Sequence, residues 1–244
     1  MNELKSKLKD LKLAGITKSI ENRNRFALEN KISYIEFLEL IIEDEYANRL
    51  ANSYQKRFSK AKLNLQKTID NYDFSFQPQL DKKLISELSA CRFINEKKNI
   101  ILMGKPGVGK THLANALGLE AIKQGYKVIF SHVNDMIEKL YQSKADGTYW
   151  NMQKNYLNCD LLILDELGFK KIPPLGLDDF FEIIRRRYET GSMIITTNRS
   201  FEDWGQIFGD MVLASAIIDR VVHYSHIIKI NGESFRIKNY KTKN

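Results

Sequence analysis

Gly104-Lys-Pro-Gly-Val-Gly-Lys110-Thr111 is the stretch that decides the fold, because it matches G-x-x-x-x-G-K-[ST] in full. An apolar run, Ile100-Ile-Leu-Met103, leads into it, and a helix-forming run, His112–Lys123, leads out. Strand, glycine loop and helix in that order make a phosphate cradle. The glycines let backbone N–H groups converge on phosphate oxygens, and the helix adds its positive end. The expected nucleotide-holding residues are Gly104, Lys105, Pro106, Gly107, Val108, Gly109, Lys110, Thr111 and His112. Lys110 is expected to reach the β- and γ-phosphates of ATP, and the Thr111 hydroxyl to ligate Mg2+.

Downstream, Leu161-Leu-Ile-Leu-Asp165-Glu166 is an apolar strand ending in two acids, and Asp165 follows Thr111 by 54 residues. A buried strand that delivers carboxylates at its C-terminal edge suits a ligand crevice there. Asp165 is expected to hold Mg2+, and Glu166 to orient and deprotonate an attacking water. Met193-Ile-Ile-Thr-Thr-Asn198 is a further apolar strand with a polar end. By itself such an Asn only closes a strand in a turn. Beside the other two motifs, Asn198 is expected to hydrogen-bond the γ-phosphate and the water.

Outward from these motifs, short apolar runs alternate with helical segments. Expected strands are Asn99–Met103, Lys127–His132, Leu161–Asp165, Met193–Thr197 and Ile227–Ile230. Alternation of this kind predicts an α/β domain with a five-stranded parallel sheet flanked by helices. Before it, residues 1–70 predict helices alone, with no Gly or Pro between residues 16 and 77. Ser33 and Glu36 have capping-box spacing, and Phe37, Leu38, Ile41, Ile42 and Tyr46 form an apolar stripe. Residues 71–79 break the pattern and predict a linker, partly docked through Phe74 and Phe76. A helix is expected over about 80–94. The domain expectation is therefore 1–70 helical, 71–79 linker and 80–244 nucleotide-binding.

The chain has 244 residues and a net charge of +8, which hints at a polyanionic partner. From Tyr46 to Ile69 there are six basic residues and no acid, including Arg49, Lys56, Arg57, Lys60 and Lys62. Aromatics are interleaved. The segment fits either a nucleic-acid face or a solvated helix with its aromatics in the core. No run approaches the 18 or more apolar residues of a membrane helix. The N-terminus lacks a signal-peptide pattern, and two cysteines, Cys91 and Cys159, fit a reducing cytoplasm. His132, His223 and His226 are not expected to be metal ligands; His223 and His226 are three apart, but no cysteine or acid cluster accompanies them.

Several nucleotide-binding classes fall away. There is no Asn-Lys-x-Asp guanine-reading motif and no Leu-Ser-Gly-Gly signature. The serial motifs resemble the IstB-like AAA+ ATPases, close relatives of the helicase loader DnaC. They are Lys105-Pro-Gly-Val-Gly-Lys-Thr-His-Leu-Ala, Leu161-Leu-Ile-Leu-Asp-Glu-Leu-Gly168, Ile194-Ile-Thr-Thr-Asn-Arg199, Phe201-Glu-Asp-Trp-Gly205, Ala216-Ile-Ile-Asp-Arg220-Val-Val-His and Gly232-Glu-Ser-Phe-Arg236. The resemblance implies an insertion-sequence transposition helper, an ATP-dependent homo-oligomer on duplex DNA that presents the target to its cognate transposase. It also implies that Arg220 is an arginine finger for a neighbouring subunit and Arg236 a second sensor arginine. Only 14 residues follow Ile230, too few for the usual helical lid, as in the IstB and DnaC branch. The alternative implied by the same resemblance is a DnaC-like loader of a replicative helicase.

Overall fold

A computed structural model describes residues 2–235. By its internal contacts the chain divides into two compact units, Met1–Lys56 and Arg57–Asn244. The first holds helices α1 (Asn2–Asp10) and α2 (Ala14–Asn30) and most of α3 (Tyr34–Ala61), which runs on into the second. The capping box forms at the start of α3: Glu36 N–H donates to Ser33 Oγ, and Ser33 N–H donates back to the Glu36 carboxylate. The packed face of α3 is not the expected stripe. Phe37 and Ile41 are half-buried and Glu45 is buried, whereas Leu38, Ile42 and Tyr46 are exposed. Glu45 explains the rotation. Its carboxylate accepts the N–H groups of Gly15 and Ile16 at 2.7 and 3.2 Å, so an acid caps the start of α2 from the face expected to be polar.

The second unit continues through α4 (Lys82–Ser89), α5 (Arg92–Asn95), β1 (Asn99–Gly104), α6 (Lys110–Lys123), β2 (Val128–His132), α7 (Val133–Ala145) and α8 (Tyr149–Leu157). It ends with β3 (Leu161–Leu167), α9 (Pro174–Arg187), β4 (Ser192–Thr197), α10 (Trp204–Phe208), α11 (Met211–Val222) and β5 (Ser225–Ile230). The single helix expected over 80–94 is two. Cys91 takes a left-handed conformation (φ 55°) with its side chain fully buried, and this breaks the run between Ser89 and Arg92 without a Gly or Pro.

The five strands are parallel in the order β2-β3-β4-β1-β5. The near-continuous burial of β1, β3 and β4 reflects helices on both faces. Trp204 is fully buried and meets the rings of Phe201 and Phe208 edge-on, so it packs the core. Arg187, 1% exposed, fills the gap beneath β3 and β4. Its guanidinium donates to the carbonyls of Tyr156, Cys159 and Ser192 at 2.8, 3.0 and 2.7 Å. The strand order sets the C-terminal ends of β1, β3 and β4 side by side, which gathers Gly104, Asp165 and Asn198 at one edge.

Candidate functional site

The loop after β1 turns into α6 through Gly109, whose φ is 101°. A Cβ there would meet the Tyr72 ring at 2.7 Å, so the position needs glycine for both its dihedral and its neighbour. Lys110 Nζ donates to the carbonyls of Gly104 and Lys105 at 2.7 and 2.8 Å, tying its ammonium to the loop's own backbone. Thr111, in the first turn of α6, donates its hydroxyl to Asp165 Oδ1 at 2.9 Å and stands 3.1 Å from Oδ2.

Both acids of β3 lie in the register shift between Leu164 and Leu167. Glu166 sits at φ 62°, a left-handed conformation rarely taken by a non-glycine residue. The Asp165 side chain is 1% exposed and that of Glu166 49%. Thr196 in β4 holds both residues. Its hydroxyl donates to Asp165 Oδ1 at 2.6 Å and accepts the Glu166 N–H at 2.9 Å. Asn198, just past β4, is exposed and lines a cleft of about 290 Å³ with Gly104, Lys105, Arg199, Glu202 and Lys229.

His132, at the end of β2, joins this group. Its Nδ1 lies 3.4 Å from Asp165 Oδ2 and 3.7 Å from Glu166 Oε2. Their ligand atoms lie within 4.8 Å of one another. Sequence spacing offers no cue for this, because β2 and β3 become neighbours only in the sheet.

On the other side of the loop is a cavity of about 280 Å³ lined by Lys67, Asn71, Tyr72, Phe76, Gln77, Phe235 and the run Gly107–His112. Asn115, buried in α6, holds the connecting segment there. Its amide donates to the carbonyls of Asn64 and Lys67 at 2.8 and 3.0 Å and accepts the Asn64 N–H at 2.8 Å. His112 Nε2 bonds the Thr68 carbonyl at 2.7 Å, and its ring meets Tyr72 edge-on. Burial pushes the Tyr72 hydroxyl up to about 12, with the charge of Asp73 acting in the same sense. Beyond β5, Phe235 N–H donates to the Gly107 carbonyl at 3.0 Å, closing the loop from above. Arg236 lies outside the described residues.

The remaining expected residues stand elsewhere. Arg220 is half-buried in the last turn of α11. It donates to the Ala216 carbonyl at 2.8 Å and lies over the Phe181 ring, 5.4 Å from its centroid. That turn leads to the start of β5, where Tyr224 accepts the N–H of Asn99, so it belongs to the sheet edge opposite Gly104. Of the basic segment, Arg49 pairs with Glu45 at 2.7 Å; Lys56, Lys60 and Lys62 are exposed and Arg57 is half-buried.

A glycine-rich P-loop after the interior strand β1, a buried Asp against the loop's Thr and the strand order β2-β3-β4-β1-β5 define a P-loop nucleotide-binding domain of the AAA+ class. The family model described as "IstB-like ATP binding protein" matches residues 6–243, and the chain belongs to that family. The putative ATP-binding protein of insertion sequence IS21 from Pseudomonas aeruginosa is 38% identical over 238 residues, covering 98% of this chain and 90% of that protein. That of insertion sequence IS5376 from Geobacillus stearothermophilus is 41% identical over 213 residues, 87% of this chain and 85% of that protein. A crystal structure of the DnaC helicase loader aligns with a TM-score of 0.56 and 25% identity, over 68% of this chain and 97% of that one. Among the described residues no helix is long and apolar enough to cross a membrane.

Proposed function

We propose that this chain is an ATP-hydrolysing transposition helper that assembles on duplex DNA and recruits or stimulates its partner transposase. The observation that carries the hydrolytic part is the unequal acid pair: Asp165 buried against Thr111, and Glu166 half-exposed at the same strand end. Hard oxygen donors from Thr111 and Asp165 suit Mg2+, whose role when bound is to neutralise phosphate charge. Lys110 and the loop N–H groups hold the phosphates. The Glu166 carboxylate takes a proton from the attacking water, and Asn198 orients that water. Arg220, at the edge away from its own loop, completes the site of a neighbouring copy. Arg236 is the second sensor arginine.

The transposition part is supported by relatives whose names place them in insertion sequences and which this chain matches over most of their length. Arg49, Lys56, Arg57, Lys60 and Lys62 supply the DNA contacts. Two buried free cysteines, Cys91 and Cys159, suit work in the cytoplasm. The test is binding of the ATP-loaded chain to duplex DNA at rising salt, where counterion release predicts a steep linear fall in log affinity. No duplex binding at low salt sinks the reading. The likeness to DnaC favours a second reading as a helicase loader. Preference for single strands over duplex, with capture of a replicative helicase, would select it.

A further inference from the structure

Lys139, on α7, is half-buried, and its ammonium lies beside that of Lys62 rather than beside an acid. Asp135 and Glu138 share its helix, yet among the described residues neither lysine forms an ion pair. Lys144, further along α7, shows the ordinary outcome, pairing with Asp179 at 2.7 Å. Burial pushes the Lys139 pKa below its usual value. The charge of Lys62 pushes the same way, and Asp135 and Glu138 pull back less strongly.

The scaffold keeps the two cations together. Lys62 sits at φ 57° between Ala61 and Leu63, both buried. Leu63 is seated against Gly118 of α6, where a Cβ would meet its Cδ1 at 3.0 Å. Lys139 is flanked on α7 by Met136 and Leu140, both fully buried. Neither backbone can retreat without uncovering apolar side chains. Two ammonium groups held side by side repel. One oxyanion between them replaces that repulsion with two charge-assisted hydrogen bonds.

We propose that Lys62 and Lys139 together grip one phosphate of the DNA backbone. Both belong to the unit Arg57–Asn244, so the nucleotide-binding unit itself touches the duplex. The pair extends the basic run Arg49–Lys67 onto α7. A phosphate contact positions DNA without reading its sequence.

This inference rests on the duplex-binding reading above, and its test separates the two. Affinity of the full-length, ATP-loaded chain for duplex is measured by fluorescence anisotropy over a salt series. Lys62→Gln and Lys139→Gln are each expected to weaken binding roughly tenfold at low salt, the loss of one charge-assisted hydrogen bond. The double variant is expected to flatten the slope of log affinity against log salt by about 0.9, the share of one phosphate. A flattening near twice that, about 1.8, means two separate phosphates and overturns the shared site. So does Lys139→Gln binding as the unaltered chain does at every salt. Acetylation of the unaltered chain, read by mass spectrometry, needs no variant: duplex is expected to protect Lys62 and Lys139 together. Protection of only one of them, or protection by inorganic phosphate and not by duplex, overturns the assignment. If the unaltered chain binds no duplex, the DNA reading itself falls, whereas duplex binding without these effects removes only the lysine pair.

Discussion

Thr111 and Asp165, 54 residues apart, meet through one hydroxyl set 2.9 and 3.1 Å from the two oxygens of a buried carboxylate. The first turn of α6 and the end of β3 are thereby locked together at the point where a cation would sit. Thr111→Val keeps the shape and removes the oxygen. Asp165 retains its bond from Thr196, so the fold should lose only about 1–3 kcal/mol. Nucleotide affinity measured with and without Mg2+ should lose its metal dependence. A variant with full metal dependence would show that Thr111 is not a ligand.

Glu166→Gln separates binding from chemistry. The side chain is half-exposed and its backbone N–H, not its carboxylate, is held by Thr196. The amide variant should bind ATP as the unaltered chain does and hydrolyse it about 10²–10⁴-fold more slowly. Phosphate release beside a binding isotherm checks both halves, and hydrolysis at the original rate removes Glu166 from the chemistry.

Arg220 is best tested by mixing. Arg220→Ala should reduce turnover by about 10³-fold or more with nucleotide affinity unchanged. Arg220→Ala and Glu166→Gln chains, each inactive, should regain activity when combined, because one copy brings an intact arginine to another's intact acid. No recovery over a range of mixing ratios contradicts action between subunits.

Arg187 concerns stability rather than activity. Burial lowers its pKa, and its guanidinium satisfies main-chain carbonyls of Tyr156, Cys159 and Ser192, from two separate segments. Arg187→Met leaves those carbonyls without a donor. The expected loss is about 3 kcal/mol or more, at roughly 1–3 kcal/mol for each stranded group. Denaturant unfolding followed by far-ultraviolet dichroism measures it. A loss under about 0.5 kcal/mol, typical of surface positions, would mean that the guanidinium is dispensable.

The N-terminal unit carries its own acid response. Arg23 grips Asp44 with two bonds of 2.8 and 2.7 Å, and this, with a bond from Ser19, lowers the Asp44 pKa to about 2 from an ordinary 3.8. Because the folded value is the lower one, the ion pair contributes fully above pH 4. Its contribution is lost as pH falls from about 4 to about 2. Carbon-detected titration of the Asp44 carboxyl should give a midpoint near 2, moving toward 3.8 in Arg23→Gln. A midpoint near 3.8 in the unaltered chain excludes the pairing.

What the sequence disclosed about this molecule was whatever is encoded locally. Gly104–Thr111, Asp165, Glu166 and Asn198 each announce themselves by a residue type at the end of an apolar run. The alternation of such runs is sufficient for the parallel sheet. His132 and Thr196 were illegible because their partners come from adjacent strands far away in the chain. Tyr72, Gln77 and Asn115 were illegible because the contacts between the segment ahead of β1 and the loop that comes after it join residues far apart in the chain. Cys91 breaks a helix with no breaker residue, a left-handed turn imposed by burial. The face of α3 was misjudged because Glu45 serves as a cap for another helix, which periodicity does not register.

The neighbours of β1 in the sheet carry a final consequence. The strand that bears the phosphate loop lies between β4 and β5, residues 192–197 and 225–230. A ribosome making this chain from its N-terminus produces the loop long before either flanking strand, leaving β1 with both edges open in the interval. A chain that stops after β4 but ahead of β5 leaves the loop-bearing strand β1 with one edge unpaired, an open template for aggregation.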